Sequence, residues 1–333
     1  MAPEPWDIAL LGAGRIAARH VRAINGVGAL RVRWVVSRTR ERAQALADEH
    51  GVPHAGTNPR DALADPAVRA VVVAYPTQQH ASLTLAAFEA GKHVVCEKPL
   101  AWTTDETRTM LAAAERHNLR LAVCHIRRYW SVCTRMREIA ATLGIIHQAS
   151  WSYRVRQHWP ETWRTEAPGG YLLDAHVHDL DLLRWFGGYT PQRVYGQGHN
   201  RADGHGVLVF SAANGALLRF DWDGAIAGPS YPDGARHRAE VVGEHGWVRL
   251  AITGQRMALE HRTATMENVE RTEYAVGDVI TASWPAMWAS FANYLRDGQP
   301  PIVTAHDAAV AVEMTLGGIQ SLALGQPVAL SAL

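Results

Sequence analysis

The sequence predicts an α/β fold that begins with a doubly wound parallel sheet. Three observations carry this prediction. Short apolar runs rich in β-branched residues alternate with helical stretches, and the first run ends in a glycine-rich turn. At 333 residues the chain also exceeds what one hydrophobic core usually supports, so two domains are expected.

The alternation extends over the first 124 residues of the chain. Parallel strands need long crossover connections, and helices normally supply them. The predicted strands cover residues 7–11, 31–37, 68–74, 93–96 and 119–124, and the predicted helices cover residues 18–24, 40–50, 79–90 and 104–117.

The first strand runs into a glycine-rich turn that precedes a helix. Gly12 permits the tight turn, Gly14 leaves room for a pyrophosphate, and Ala17 allows close packing of the helix on the strand. The helix N-terminus adds N–H donors and the positive end of its dipole. This pattern predicts a dinucleotide-binding Rossmann domain. The expected cofactor contacts at this turn are Gly12, Gly14, Arg15 and Ile16.

The end of the second strand indicates which dinucleotide is preferred. An NAD site usually has Asp or Glu there to bind the ribose 2′-hydroxyl, but this chain has Ser37 and Arg38. Ser37 removes the carboxylate that would repel a 2′-phosphate, and Arg38 offers a planar cation. We therefore expect a preference for NADP(H), with NAD(H) possible. The alternative is that Arg38 and Arg40 are solvated residues at the start of a helix.

Composition excludes several other classes of protein. The chain has 33 Lys and Arg residues against 32 Asp and Glu residues, so its charges nearly balance. We therefore expect no long-range electrostatic attraction to nucleic acid or to a membrane surface. The N-terminus lacks the pattern of a signal peptide, and no apolar run is long enough to span a bilayer. The three cysteines lack metal-ligand spacing and resemble reduced core thiols. These features predict a cytoplasmic protein.

The second half of the chain contains strand patterns of a different kind. Period-two alternation and hairpin turn signals, such as Asn214-Gly215, indicate antiparallel strands. We place a first domain over residues 1–124 and a second over 125–333, with a C-terminal helix (about 305–322) that packs back on the first domain. The strands predicted for the second domain cover residues 151–156, 207–210, 217–222, 240–243 and 247–250.

An ordered set of motifs makes the chain resemble the Gfo/Idh/MocA oxidoreductases, a family typified by glucose–fructose oxidoreductase and inositol 2-dehydrogenase. The motifs are Y-P-T-x-x-H at 75–80, E-K-P at 97–99 and G-G-x-x-x-D-x-x-x-H at 169–178, with a closing helix and loop at 291–300 and 303–308. The set covers nearly the whole chain, which makes it specific.

The resemblance implies a Rossmann domain followed by an α/β domain with a large, mostly antiparallel, open sheet. It also implies a small-molecule polyol or sugar substrate and a homodimer or homotetramer formed through that sheet. The further cofactor contacts that it implies are Tyr75, Pro76, Thr77, His80, Glu97 and Lys98.

The resemblance assigns catalysis to Lys98, Asp174 and His178. On a helix, Asp174, His178 and Asp181 share one face. The pKa of an ordinary histidine, about 6.5, suits proton exchange at neutral pH. His178 is therefore the expected general base in oxidation and general acid in reduction. Asp174 would orient the imidazole or bind a substrate hydroxyl, and Lys98 would polarise the reacting oxygen.

The same segment departs from the family in one residue. The family commonly has glycine two positions before its catalytic histidine, and this chain has His176. Helical geometry turns His176 about 200° away from His178, so a role in the site is not required. Histidines and carboxylates of this segment also permit a metal site. We expect none, because only Asp174, His178 and Asp181 share a face and the family that the chain resembles needs no metal.

Aromatic and basic residues before the catalytic segment suit a polyol, because aromatic rings stack on sugars and Arg or His binds hydroxyls. The alternative is that Trp151 and Tyr153 form one buried strand face. Arg127 and Arg128 follow the last Rossmann strand, where a structural role for Arg128 is equally plausible. The candidate substrate contacts are His125, Arg127, Arg154, Arg156, His158, Trp163, Arg164, Asp174 and His178.

These residues together predict an NADP(H)-preferring oxidoreductase that interconverts a secondary alcohol and a ketone on a sugar, cyclitol or related polyol. One alternative is transient oxidation by tightly held NAD, followed by elimination or loss of a glycosidic substituent. Another is a catalytically silent cofactor-binding regulator, which the presence of Lys98, Asp174 and His178 disfavours.

Overall fold

The computed structural model describes residues 4–155, 170–200, 204–225 and 236–331 of the chain. They form two compact units. Met1–Tyr129 with Ala282–Ala309 makes the first, and Trp130–Thr281 with Val310–Leu333 makes the second. The structure thus divides the chain at residues 129/130, whereas the sequence places the division at 124/125. Residues 282–309, which we call the late segment, belong to the first unit although they follow most of the second unit in sequence.

The first unit contains the predicted parallel sheet. Its six strands lie in the order β3-β2-β1-β4-β5-β6, so the order reverses beside β1. All five strand pairs are parallel. This confirms the predicted doubly wound sheet. The strands are β1 (Trp6–Leu11), β2 (Leu30–Val36), β3 (His54–Gly56), β4 (Val68–Val73), β5 (His93–Cys96) and β6 (Leu121–Val123).

Apolar runs explain why these strands lie in the middle of the unit. Leu10 and Leu11 of β1 and Val72 of β4 are fully buried, as expected for strands covered on both faces. The short β3 and the helix α3 lack a strong pattern and were not predicted. The helices are α1 (Ala17–Gly26), α2 (Arg40–His50), α3 (Pro59–Ala64), α4 (His80–Glu89) and α5 (Thr104–Arg116).

The late segment contributes an apolar helical stripe to the first unit. Met287, Trp288, Phe291 and Leu295 are fully buried at helical spacing and join the core that contains Val21 of α1. Burial of aromatic and aliphatic side chains of this size stabilises a core by about 1.5–3 kcal/mol each. This stripe accounts for the membership of residues 282–309 in the first unit.

The second unit is built on a nine-stranded sheet in the order β14-β13-β12-β11-β7-β10-β9-β8-β15. All pairs are antiparallel except β7 with β10, which confirms the large, mostly antiparallel sheet. The strands are β7 (Ile146–Arg154), β8 (Pro191–Gly198), β9 (His205–Ala212), β10 (Leu217–Asp223), β11 (His237–Gly243), β12 (Gly246–Thr253), β13 (Arg256–Thr263), β14 (Glu270–Ala275) and β15 (Val328–Ala329).

Period-two alternation places one face of this sheet against helices. In β10, Leu218, Phe220 and Trp222 are buried whereas Leu217 and Arg219 are exposed. The buried face packs against α7 and α6, so the core of the unit lies on that side. The remaining helices are α6 (Ser131–Ala140), α7 (Gly170–Gly187), α8 (Val276–Asp297) and α9 (Ala305–Leu324).

Two further expectations concern the compartment and the membrane. Cys96, Cys124 and Cys133 are all buried and none of the three is in a disulfide, as expected of reduced core thiols. Among the helices of the described residues, none is long and apolar enough to cross a membrane.

Candidate functional site

The glycine turn after β1 closes against the end of β4. Gly12 has a φ of +125°, and a Cβ atom placed on it would lie 2.3 Å from the carbonyl oxygen of Ala74. A Cβ atom on Gly14 would meet no atom of the described chain within 4 Å. Gly12 is therefore required by the packing of the protein itself, whereas the space over Gly14 is open to a ligand.

Helix α1 begins beside this turn without a side chain that caps it. Ile16 is the N-cap residue, and the first turn of the helix contains no acidic residue. Gly14 and Arg15 are exposed at this end. Helix N-termini bind phosphate groups because their first N–H groups lack carbonyl partners within the helix and the dipole is positive there. The turn and the helix end thus fit the pyrophosphate of a dinucleotide.

A cation lies at the end of β2. Ser37 is buried, with its backbone N–H donated to the carbonyl oxygen of Gly56 at 3.0 Å, whereas Arg38 is exposed. Burial raises the pKa of Tyr75, and the charge of Arg38 opposes this rise, so the two side chains are within electrostatic reach. They follow the two strands that flank β1, at the edge where doubly wound sheets bind ligands.

His80 holds two turns of the first unit through its imidazole ring. Its Nδ1 atom lies 2.8 Å from the carbonyl oxygen of Pro99, and its Nε2 atom lies 2.9 Å from that of Tyr75. Burial lowers the pKa of His80, and the two carbonyl contacts oppose this shift. Pro76 is exposed and Thr77 half-buried, as a cofactor contact requires, but His80 is only 1% exposed.

Glu97 is buried at the end of β5 and uses both carboxylate oxygens. Oε1 lies 2.9 Å from Nε2 of His20, and Oε2 accepts the backbone N–H of Lys98 at 3.1 Å. Burial alone would raise the pKa of Glu97, but the hydrogen bond and charge of His20, together with Lys98, hold that pKa below its usual range. His20 is fully buried on α1, edge-on to Trp284 and Trp288. The sequence patterns did not single it out.

His20, Glu97 and Cys124 bring three potential metal-ligating atoms within 4.8 Å of one another. Burial raises the pKa of the Cys124 thiol well above its ordinary value. The imidazole and the carboxylate are hydrogen-bonded to each other. Two of the three groups are therefore explained as a buried hydrogen-bonded pair.

The scarcity of lysine distinguishes Lys98. Of the 33 lysine and arginine residues in the chain, only Lys92 and Lys98 are lysines. Lys92 is buried, and its Nζ atom donates to the carbonyl oxygens of Asp65 and Val68 at 2.9 and 2.8 Å. Lys98 is half-buried directly after β5. Lysine can release a proton in a protein and arginine cannot, so the two residue types are not interchangeable at this position.

Three basic residues after β6 have different surroundings. His125 is fully buried and Arg127 is half-buried. Arg128 is 1% exposed, and its Nη1 atom donates to the carbonyl oxygen of Ile302 at 3.0 Å and to Oδ2 of Asp307 at 3.2 Å. Arg128 therefore has a structural role, whereas the side chain of Arg127 is partly exposed to solvent, as a residue that contacts a ligand must be.

Helix α7 presents Asp174 and His178 on one partly accessible stripe. Both side chains are half-buried, while Val177 and Leu180 beside them are buried in the core. Asp181, one turn further along the stripe, is also buried. The structure thus brings Asp174 and His178 to one face of the helix, where they can act on the same ligand.

His176 points to the other side of α7, as helical periodicity predicts. Its ring centroid lies 4.7 Å from that of Tyr153, 4.8 Å from that of Tyr171 and 5.0 Å from that of Phe220. Its Nδ1 atom lies 2.7 Å from Oδ2 of the buried Asp179. His176 is therefore part of the contact between the helix and the sheet.

Arg154 lies on the opposite face of the second sheet from α7. Tyr153, its neighbour, contacts His176 of α7, and successive side chains of a strand alternate between faces. Arg154 itself lies 3.9 Å from Asp221. The structure thus separates Arg154 from the stripe of α7. The other candidate substrate contacts of this segment, Arg156, His158, Trp163 and Arg164, lie outside the described residues.

Comparison with known proteins identifies related sequences over both units. Residues 6–125 match the family model GFO_IDH_MocA, described as an oxidoreductase family with an NAD-binding Rossmann fold. Residues 134–249 match the model of the GFO/IDH/MocA C-terminal domain.

Individual relatives are similar over most of their length. Inositol 2-dehydrogenase 1 of Saccharopolyspora erythraea is 30% identical over 262 residues, 74% of this chain and 74% of that protein. The 1,5-anhydro-D-fructose reductase of Ensifer adhaerens is 29% identical over 95% of this chain and 96% of that protein. The crystal structure of GenD2 from gentamicin A biosynthesis, in complex with NAD, is 27% identical and has a TM-score of 0.84. The match covers 100% of this chain and 98% of that one.

Proposed function

Because this chain belongs to the Gfo/Idh/MocA family of oxidoreductases, we propose that it interconverts a secondary alcohol and a ketone on a sugar, cyclitol or related polyol, with a preference for NADP(H). The observation that carries the proposal is the pair formed by Asp174 and His178 on the accessible stripe of α7. The names of the related inositol dehydrogenase and anhydrofructose reductase support the substrate class.

The cofactor, when bound, accepts or supplies the hydride. Gly14 and the start of α1 would hold its pyrophosphate, and Arg38 would pair with a 2′-phosphate. His178 removes the hydroxyl proton in oxidation and returns it in reduction. Asp174 orients that imidazole, or binds a neighbouring hydroxyl of the substrate. Lys98 places a positive charge beside the oxygen on which negative charge develops.

We expect the nucleotide preference to depend on Arg38. Arg38→Ala should raise the Kd for NADP+ by about 10- to 100-fold, the worth of a hydrogen bond to a charged group. The Kd for NAD+ should stay within about twofold, because NAD+ has no phosphate at that position. Titration of intrinsic tryptophan fluorescence with each nucleotide measures both constants.

Arg40→Ala is the matched control, since Arg40 is also exposed, at the start of α2, and carries the same charge. It should leave both Kd values unchanged. Equal weakening of NADP+ and NAD+ by Arg38→Ala would show that Arg38 does not read the 2′-phosphate. A wild-type preference for NAD+ would reject the proposed cofactor specificity.

We expect Arg127, rather than Arg154, to contact the substrate. Arg127→Ala should raise the KM of a validated polyol by about tenfold, as expected for one lost charged hydrogen bond. Arg154→Ala should leave that KM within about twofold, because Arg154 lies on the sheet face opposite α7. Steady-state kinetics of the two variants make the comparison. A larger effect from Arg154→Ala would reverse this assignment.

A further inference from the structure

Two buried histidines of the first unit lie on either side of the E-K-P segment. Nε2 of His20 lies 2.9 Å from Oε1 of Glu97, the residue before Lys98. Nδ1 of His80 lies 2.8 Å from the carbonyl oxygen of Pro99, the residue after it. His20 and His80 are 0% and 1% exposed, so neither ring can contact a ligand from solvent.

The contact through Glu97 reaches the backbone of Lys98. One carboxylate oxygen of Glu97 pairs with His20, and the other accepts the N–H of Lys98 at 3.1 Å. A carboxylate held by an imidazole cannot rotate freely, so the amide that it accepts is held as well. His20 thereby connects α1, the helix that follows the glycine turn, to the lysine.

The histidine at position 20 has a cost in folding stability. Its Nδ1 atom is buried and has no hydrogen-bond partner among the described residues. A buried polar atom without a partner destabilises a protein by about 1–3 kcal/mol. An apolar residue between Trp284 and Trp288 would avoid that cost but would leave the buried carboxylate of Glu97 without its imidazole partner. The hydrogen bond with Glu97 is therefore what a histidine at this position supplies.

The contact through Pro99 reaches the other side of the lysine. His80 lies in the first turn of α4, and its contact with Pro99 spans 19 residues of sequence. Its Nε2 atom lies 2.9 Å from the carbonyl oxygen of Tyr75, so the ring joins the turn before α4 to the turn that contains Pro99. The contact with Pro99 is the shorter of the two and lies next to Lys98.

We propose that His20 and His80 are positioning residues that hold Lys98 from both sides, His20 through Glu97 and His80 through the carbonyl group of Pro99. The inference rests on the proposed function insofar as Lys98 acts on the substrate. Positioning matters for such a group because a misplacement of about 1 Å can lower a rate by about 100-fold.

The two histidines use different ring nitrogens, which permits a crossed test. The amide nitrogen of glutamine can take the place of Nε2, and that of asparagine the place of Nδ1. At position 20, His20→Gln should keep the contact with Glu97 and His20→Asn should lose it. At position 80 the outcome should be reversed, with His80→Asn keeping the contact with Pro99 and His80→Gln losing it.

The variants that lose a contact should lower kcat by about 10- to 100-fold, and those that keep it should stay within about threefold of wild type. Thermal melting of all four checks folding. A purely structural role for either histidine would change the melting temperature without this crossed pattern in kcat. If asparagine and glutamine act alike at both positions, the inference is wrong.

A second readout does not depend on turnover. Reductive methylation with ¹³C labels the amines of the two lysines, Lys92 and Lys98, and the N-terminal amine, and Lys98→Arg identifies the signal of Lys98. The chemical shift of Lys98 should change in His20→Asn and His80→Gln and remain at the wild-type value in His20→Gln and His80→Asn. Shifts that do not follow this pattern would overturn the positioning role. If the wild-type protein turns over no polyol but the four variants show the crossed pattern of Lys98 chemical shifts, the proposed function is wrong and the positioning role stands.

Discussion

Replacement of His178 by asparagine should lower kcat by roughly 100- to 10,000-fold, because it removes the group that exchanges the substrate proton. His178 is half-buried on the stripe of α7 that also carries Asp174. The Kd for NADP+ should stay near its wild-type value, since the predicted cofactor contacts belong to other residues. Steady-state kinetics with a validated substrate and fluorescence titration of the nucleotide measure the two quantities.

His147→Asn provides the matched control for this experiment. It makes the same chemical change at an exposed position in β7, and it should leave kcat unchanged. Lys98→Met should produce a loss comparable to that of His178→Asn, because it removes the charge beside the reacting oxygen. If both His178→Asn and Lys98→Met keep full turnover, the proposed mechanism fails.

Gly12→Ala should destabilise the first unit by roughly 3 kcal/mol or more, the combined cost of an unfavourable backbone conformation and an overpacked contact. Gly12 has a φ of +125°, and its added Cβ atom would lie 2.3 Å from the carbonyl oxygen of Ala74. Gly14→Ala should leave stability within about 0.5 kcal/mol, because a Cβ atom there meets no described atom within 4 Å. It should nevertheless weaken NADP+ binding at least about tenfold, by filling the space proposed for the pyrophosphate.

Chemical denaturation and nucleotide titration of the two alanine variants separate the roles of the glycines. The expected pattern is a stability defect for Gly12→Ala and a binding defect without a stability defect for Gly14→Ala. Wild-type affinity for NADP+ in Gly14→Ala would exclude the approach of the pyrophosphate over that residue.

The first unit was largely predictable because its signals are local. Runs such as Val71–Val73 identify buried parallel strands, and Gly12 identifies the turn that ends β1. The short β3 and α3 were missed because three to six residues do not establish a period. The packing of residues 282–309 in the first unit depends on contacts with residues far away in sequence, which periodicity does not specify.

The candidate site residues were identified from motifs, but their supporting contacts could not be predicted from the sequence. The spacing of Asp174 and His178 placed them on one helix face, and the structure agrees. The pairing of His20 with Glu97 spans 77 residues, and no local pattern marks it. His80 was expected as a cofactor contact because of its motif, and only the structure shows its nitrogens against two backbone carbonyl groups.

The most direct test of the proposed reaction is nicotinamide absorbance during incubation with a panel of sugars, cyclitols and their keto derivatives. We expect at least one polyol to reduce NADP+ in an amount equal to the ketone formed, and faster than it reduces NAD+. Product formation without net reduction of either nucleotide would instead indicate transient oxidation by a retained cofactor. Cofactor binding without reduction by any member of the panel would contradict the proposal that this chain is a polyol oxidoreductase.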